Sequence, residues 1–544
     1  MTLLSGYISF AVAGVLSHIA YFKRGEHHLY GPQYLKLFFL AISTGTAVLY
    51  YLDGSPWPAF TTIIKLAAAY LFGLYTSLLL YRTLLHPLNK FPGPLGARLS
   101  QIWITTQLQN SNHHAKLLEL HNKYGPIVRI GPSDLSIIHP KAPEIIYGAS
   151  SRCFKGPSYD MSHPEVSLQL MRDPIQHHAR RRVWSAAFSD KQLRGYEQRI
   201  RGYRETLVAQ LSRLSDSGQQ PVDIRKWFSL YSFDVMGDLS FGSGFGSLER
   251  GEAHWAIRLL NAFVEPIGLY LPTWVFVLLA ATPGVSGEFW KFPAFCRERM
   301  VERFENTPEI PDVSSALIAA LDGRSLSEAS PSEQNLLFSD ARVIVIAGSD
   351  TTSGALSAIF YELVRNPEEI QKLRSELKPY ANNASGEFLH STIAHLNHLN
   401  GVINEALRLY PAVPSALQRK TPPEGIFIDG VYIPGNMHIM CPMYALGRSE
   451  LAFERPHEFI PERWYSRPEL VKEKTAFMPF SAGEFNCVGR PLALLNLRTT
   501  VARLVMEFDV EFAPGEDRAR FLREARDNFV FYLGGLDLVF RRRR

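Results

Sequence analysis

A chain of 544 residues is too long for one small core, yet it shows no array of modules. With 46% hydrophobic and 20% charged residues it is a folding chain, which excludes a disordered one. A net charge of +5 is small for this length: it leaves room for a local basic patch and argues against a nucleic-acid binder.

The chain opens with three apolar stretches, residues 7–21, 34–52 and 63–81. A membrane span needs ~20 mostly apolar residues, and the third stretch is the best of the three. Residues 66–81 carry no charge, Lys65 and Arg82 stand at the ends, and Tyr70, Tyr75 and Tyr81 suit the interfaces. His18 and Lys36 interrupt the first two. Lys23 and Arg24 follow the first stretch, the loop 53–58 lacks Lys and Arg, and Arg82, Lys90 and Arg98 follow the third. By the positive-inside rule, three spans place the amino terminus outside or in a lumen and the rest of the chain in the cytoplasm. The alternative is a single anchor at the third stretch. No basic region precedes Tyr7, so a cleaved signal peptide is not expected. Phe91-Pro92-Gly93-Pro94 then ends the helical run and reads as a stiff hinge. The expected division is a membrane anchor at 1–90 and one large domain at 91–544.

In the large domain helical periodicity dominates, and no repeat appears. Strand-like runs fall at 127–130, 136–138, 426–433 and 529–540, the last with Gly534-Gly535 at a turn position. The expected class is therefore mainly α with small β-sheets. The Pro-, Ser- and Gly-rich run 307–332 reads as a surface connection, and the arginines 541–544 as a solvated end. Asn383-Ala384-Ser385 has the pattern of a glycosylation acceptor, but a cytoplasmic domain does not meet that machinery.

Five motifs follow in chain order. His177-His178-Ala179-Arg180-Arg181-Arg182 is basic, and by itself Arg180 and Arg182 read as a solvated face. Ala347-Gly348-Ser349-Asp350-Thr351-Thr352 lies in an apolar helical run, with Ala347, Gly348 and Thr351 on one face. Small residues there let a ligand approach the helix, and the Thr351 hydroxyl can divert a backbone carbonyl. A plain helix-packing surface is the alternative. Glu405 and Arg408 are three apart on a helix and can pair, as any surface salt bridge does. Pro461-Glu462-Arg463-Trp464 supplies a further arginine. Finally, the cysteines Cys153, Cys296, Cys441 and Cys487 are too few and too scattered for a disulfide scaffold or a zinc site, and suit a reducing compartment. Buried filler is the ordinary reading of each. Cys487 differs, because glycines flank it and an apolar helix follows, so backbone N–H groups and the helix dipole can stabilise an anionic sulfur. No His/Asp partner marks it as a nucleophile.

Phe480-x-x-Gly483-x-x-x-Cys487-x-Gly489 resembles the haem-binding signature of the cytochromes P450. The resemblance implies Cys487 as axial ligand of the haem iron, Phe480 beside the sulfur, and Gly483 and Gly489 where the backbone turns under the haem. One position departs: the family usually has Arg or His where this chain has Phe485, and that cation pairs a haem propionate. His177 and Arg181 fit the slot where the family often has Trp-x-x-x-Arg, which makes Arg181 the candidate partner and Arg419 a second. Glu405, Arg408 and Arg463 resemble the family's buried Glu–Arg–Arg network. The 347–352 run resembles its oxygen-activating helix, with Thr351 as the alcohol and Asp350 as the acid of proton delivery.

The resemblance spans residues 92–544 and implies a cytochrome P450 fold with haem b as cofactor. The activity it implies is insertion of one oxygen atom of O2 into a hydrophobic organic substrate. No nucleotide-binding loop is visible, so electrons from NADPH come through a separate NADPH-cytochrome P450 reductase, with cytochrome b5 as an accessory donor. Arg180, Arg181, Arg182, Lys191 and Arg194 together offer such a partner a basic face. By the same resemblance the substrate pocket is lined near 161–170, 263–274, 343–347, 413–416 and Phe531. The implied location is the endoplasmic reticulum membrane with the catalytic domain facing the cytoplasm. The amino terminus and the Gly-Glu-Phe-Asn-Cys variant look most like fungal secondary-metabolism members. A haem-thiolate isomerase or dehydratase, and a non-enzymatic haem sensor, are the alternatives. Asp350 and Thr351 count against both, since neither requires proton delivery to oxygen.

Overall fold

Thr2–Ser17 (α1), Gly31–Asp53 (α2) and Pro56–Leu80 (α3) form the amino-terminal helices of the computed structural model, which describes residues 2–282, 284–381, 386–415 and 417–543. The Asn383-Ala384-Ser385 pattern and Ala416 lie outside the described residues. The segments Leu4–Phe22, Gly31–Asp53 and Pro56–Lys90 are each long and apolar enough to cross a membrane. Glycines let α1 and α3 touch backbone to backbone. A Cβ at Gly14 would stand 2.0 Å from the Tyr70 carbonyl oxygen, and one at Gly73 would stand 1.9 Å from that of Ala11. His18, the polar interruption in the first stretch, is buried with Nδ1 2.8 Å from Ser77 Oγ on α3. Its polarity is therefore matched inside the helix pair, which weakens it as an argument against a span.

The loop between α1 and α2 docks on the large domain. Glu26 Oε1 accepts from Arg172 at 2.9 Å and Lys420 at 2.8 Å, and His28 Nε2 lies 2.7 Å from Asp160 Oδ2. Burial alone would push Glu26 up, but Arg172 and Lys420 outweigh it and bring its pKa to about 2. The expected hinge is not free either. The Pro92 carbonyl accepts from Arg129 N at 2.8 Å, and a Cβ at Gly93 would fall 2.3 Å from the Arg129 carbonyl oxygen. The prolines thus seat the chain against a strand.

Strands are short and form four sheets. Ile127–Arg129 (β1), Asp134–Ile137 (β2) and Phe154–Lys155 (β3) precede Val222–Asp223 (β4). Arg419–Lys420 (β5), Ile426–Ile428 (β6), Val431–Ile433 (β7) and His438–Met440 (β8) come next. Phe508–Phe512 (β9), Arg526–Asn528 (β10), Val530–Tyr532 (β11) and Asp537–Arg542 (β12) complete the set. The largest sheet runs β1-β2-β8-β5-β3; the others are β4-β12-β9, β10-β11 and β6-β7. The run 529–540 is accordingly not one hairpin across Gly534-Gly535. It divides between two sheets, because β11 returns to β10 while β12 pairs with β9. The arginine end is also less free than its charge suggests: Arg541 and Arg542 are exposed but sit in β12, paired with Asp509 and Phe508.

Helices make up 61% of the structure, and the longest, Pro331–Arg365, is its axis. Its start is a capping box, in which Glu333 N donates to Ser330 Oγ at 3.3 Å and Ser330 N donates to Glu333 Oε2 at 2.8 Å. It is apolar enough to pass for a span, but 61% of its most apolar window is buried within the protein. Ile224–Phe241, almost wholly buried, packs along it. The run 307–332 proves more than a connection. It holds the helix Val313–Ala319, opened by a second capping box at Asp312 and Ser315, with Val313 and Leu317 in the core. Composition missed it because serines that cap helices look like loop serines.

Candidate active site

The loop before the carboxy-terminal helix Arg490–Glu507 carries Cys487. Cys487 N donates to the Phe480 carbonyl at 2.8 Å, which closes the loop. Gly483 has φ +61°, and a Cβ there would strike the carbonyls of Tyr147 and Gly148 at 2.3 and 2.5 Å, so only glycine fits. Gly489 caps the helix, and a Cβ on it would lie 3.9 Å from Cys487 Sγ. Cys153, Cys296 and Cys441 are buried, whereas Cys487 is exposed. Even so, the surrounding protein desolvates its thiol and pushes its pKa up, while the backbone N–H groups of Gly489 and Arg490 and the Arg181 charge pull it down. Those donors favour the thiolate once a cation sits on the sulfur.

Phe485 is flanked by two basic side chains and an imidazole. Lys155 Nζ stands 4.9 Å from its ring centre, the Arg419 guanidinium 5.2 Å, and the His177 ring 4.7 Å edge-on. Pairing of β3 with β5 sets Lys155 opposite Arg419. Arg419 is fully buried. It donates to Tyr159 Oη at 2.9 Å and to the Gln418 carbonyl at 3.1 Å, but among the described residues its Nε has no partner. The buried Nδ1 of His177 also lacks a hydrogen bond, with Glu484 Oε1 3.8 Å away. Burial, then Lys155, Arg181 and Arg419, depress His177 to about 3, and burial with Arg419 holds Lys155 well below an ordinary lysine. Arg181 lies at the rim, where it donates to the carbonyl and the side-chain oxygen of Asn486, each at 2.5 Å. Buried Arg419 and Lys155, with no carboxylate among the described residues hydrogen-bonded to either, together with the orphaned nitrogens of Arg419 and His177, fit an anionic group such as the haem propionates. Phe485 stands where the usual cation would be, and these neighbours are the donors that can replace it.

Arg180 corrects the solvated-face reading. It bonds buried Asp340, which also accepts from Trp184 Nε1 at 2.8 Å and Leu168 N at 2.7 Å, so Arg180 is part of the core. Arg182, Lys191 and Arg194 are exposed.

On the long helix, Thr351 Oγ1 donates to the Ala347 carbonyl at 2.5 Å, and Ala347 is exposed. Gly348 does not serve ligand approach. A Cβ there would meet Met236 Sδ at 2.4 Å, so this glycine accommodates the helix Ile224–Phe241. Asp350 accepts a short hydrogen bond from Tyr532 Oη on β11. Burial pushes Asp350 up to about 6, against the pull of Tyr532 and Arg225.

Glu405, Arg408 and Arg463 are buried together. Glu405 accepts from Arg408 at 2.7 and 2.9 Å, Arg463 Nε at 3.1 Å, Ile460 N at 3.0 Å and Trp464 Nε1 at 2.9 Å. The other arginine donors reach backbone carbonyls, including those of Gly447, Pro456, Glu454 and Leu470. Every side is satisfied, which is the condition for keeping such charges in a core.

Two residues escaped the sequence reading, Lys155 and Tyr532. Lys155 is placed by pairing of β3 with the distant β5, and Tyr532 by packing of β11 on the long helix, and no local pattern marks either. Of the expected pocket lining, Phe263 stacks on Phe289 at 4.4 Å and Phe531 is buried beside His114 and Tyr444, while Trp274 is exposed. A cavity of about 250 Å³ lies between Glu165, Trp290, Phe338 and Arg342. Arg342 and Thr351 are about two and a half helical turns apart and so project from opposite faces, which sets that cavity apart from the Thr351 side.

Comparison with known proteins agrees with this arrangement. The sequence model described as cytochrome P450 matches residues 92–531. The cytochrome P450 monooxygenase notG' of Aspergillus versicolor is 46% identical over 99% of this chain and 98% of its own length. Tryprostatin B 6-hydroxylase of Aspergillus fumigatus is 45% identical, covering 99% and 97%. The cytochrome P450 monooxygenase FCK2 of Fusarium pseudograminearum is 39% identical, covering 99% and 98%.

Proposed function

The chain belongs to the cytochrome P450 family and is a monooxygenase, and we propose that it hydroxylates a hydrophobic secondary metabolite with Cys487 as haem ligand and Asp350–Thr351 as proton route. The observation that carries this reading is the pairing of one accessible cysteine, backed by N–H donors, with the basic side chains of Lys155 and Arg419 around Phe485. When bound, haem b would supply the oxygen activation, favoured by electron donation from a thiolate ligand.

The chain's own residues then have definite tasks. The N–H groups of Gly489 and Arg490 favour the thiolate against desolvation, and would do so effectively once a cation lies on the sulfur, and the Phe480 carbonyl fixes its loop. Arg419, Lys155 and His177 would hold the propionates, with Arg181 at the rim. Thr351 spends its one proton on the Ala347 carbonyl, so its oxygen is free to accept from water and orient it. Asp350, with a pKa of about 6, exchanges protons near neutral pH, as a supply acid must. Electrons come from a separate NADPH-dependent reductase docking on Arg182, Lys191 and Arg194, with cytochrome b5 as accessory. Three crossings by α1–α3 agree with the side on which the chain docks. The loop carrying Glu26 and His28 meets the large domain, as does the segment after α3, so both lie on one side of the membrane; together with the Lys and Arg residues that flank the spans, this supports a domain on the cytoplasmic side of the endoplasmic reticulum.

The 45% identity with tryprostatin B 6-hydroxylase makes tryprostatin B the first substrate to assay. The test of the proposed reaction is Thr351→Ala in the reductase-supported enzyme. NADPH oxidation and haem content should persist while product per NADPH falls by about tenfold or more and hydrogen peroxide rises; unchanged coupling would remove Thr351 from the route. Arg419→Gln should release haem to an acceptor protein about tenfold faster, the loss expected for one charge-assisted hydrogen bond. Arg181→Gln should do so less and Arg180→Gln least, and equal rates for the three would refute the assignment.

A further inference from the structure

The carboxyl of Asp350 does not point along the long helix toward Thr351's bond. It is held by β11, through the phenol of Tyr532. Tyr532 is half-buried and keeps part of its surface in solvent. Among the described residues Tyr532 is the side chain that donates a hydrogen bond to this carboxyl. Arg225, on the helix Ile224–Phe241, is the charge that acts on both members of the pair. β11 reaches the long helix closely enough that a Cβ at Gly354 would lie 3.4 Å from the Phe531 carbonyl, so the contact is fixed by packing.

We propose that Tyr532 is a positioning residue that reloads Asp350 with protons from solvent, so that the proton route runs water, Tyr532, Asp350, Thr351. This rests on the Asp350–Thr351 reading above and extends it outward. After Asp350 has given up its proton, the O–H bond of Tyr532 breaks as its hydrogen passes to Oδ2. The phenol oxygen takes a proton from a solvent water in the same movement, and the hydroxide so formed is neutralised by bulk buffer, so one proton enters and no charge remains on the ring. A concerted transfer is required, because burial beside Asp350 holds the phenol well above its ordinary pKa and a free phenolate there would be costly.

The same hydrogen bond stabilises the carboxylate form, so its removal must raise the Asp350 pKa above about 6. The experiment uses the full-length holoenzyme with Tyr532→Phe, which keeps the ring and removes one oxygen. The protonated carboxyl of Asp350 is followed by its infrared C=O band during a pH titration, assigned by its loss in Asp350→Asn. The expected result is a band that persists to higher pH in Tyr532→Phe, together with a peroxide yield raised by about tenfold at neutral pH and a larger solvent isotope effect on coupling. A band that moves with unchanged coupling would overturn the proposal, since Tyr532 would then only set the charge of Asp350. Unchanged values for both would overturn it as well. Fluorotyrosine at position 532 retains the hydroxyl and the packing, and its more acidic phenol should shift the isotope effect the opposite way; an effect identical to wild type counts against the relay. If Thr351→Ala fails to uncouple, the underlying reading falls; if it uncouples and Tyr532→Phe does not, only the relay falls.

Discussion

Cys487→Ala should abolish monooxygenation and remove the red-shifted Soret band of the reduced carbon monoxide complex, while leaving the fold close to wild type. The two halves of that expectation come from different facts. The Cys487 side chain belongs to none of the hydrophobic clusters of the core, so its truncation should leave the polypeptide fold intact. Its sulfur is nevertheless the one that the Gly489 and Arg490 N–H groups and Arg181 pull toward the thiolate against desolvation. The contrast is with Cys296 and Cys441, fully buried thiols that burial pushes far up. Cys296→Ser places a hydroxyl where the described residues provide no side-chain partner and costs ~1–3 kcal/mol of stability, whereas the Tyr147 hydroxyl lies beside Cys441 and makes Cys441→Ser cost less; in both, the spectrum of the folded fraction should be unaltered. Thermal unfolding and the reduced carbon monoxide spectrum of the three variants decide the matter. A Cys487→Ala protein that retains the red-shifted band would end the ligand assignment.

What the sequence disclosed depended on whether a feature is local. The Cys487 loop could be read directly, since Phe480, Gly483 and Gly489 are near neighbours and each is dictated by a turn or a close approach. The network of Glu405, Arg408 and Arg463 was visible as three residues. Its closure by Trp464 and a set of backbone carbonyls was not, because carbonyl directions are absent from a residue list. Phe485 announced a missing cation and gave no hint of Lys155, which reaches the site only because β3 pairs with β5 far along the chain. Tyr532 was hidden by a different long-range contact, the packing of β11 on the long helix. Gly348 was misassigned for a related reason: a pattern shows that a position is small, and only the fold shows that Met236 is what it makes room for. In the anchor, His18 looked like an interruption until Ser77 on α3 supplied its partner.

Glu405→Gln should cause the largest loss of folded protein of any single conservative change proposed for this chain. The substitution keeps shape and removes one negative charge, leaving Arg408 and Arg463 buried and like-charged. Breaking a buried pair in this way costs about 3–5 kcal/mol, a large part of the ~5–15 kcal/mol that stabilises a typical domain. The expected outcome is a severalfold fall in membrane-inserted holoprotein and a lower unfolding temperature, with the remaining folded fraction still showing the red-shifted carbon monoxide band. The structure contains its own control. Arg455 and Glu458 form an ion pair at the same three-residue spacing, but both side chains are about half exposed, and solvent screening makes such pairs nearly neutral. Only the backbone carbonyls of Arg455 and Glu458 reach the network, accepting from Arg463 and Arg408, so Glu458→Gln leaves it intact and should change neither yield nor unfolding temperature measurably. If the two variants lose protein equally, the spacing itself matters and burial does not, and the network is then no more than a helix-surface salt bridge. If Glu405→Gln folds normally but loses its haem spectrum, Glu405 acts on the haem side and the purely structural role is wrong.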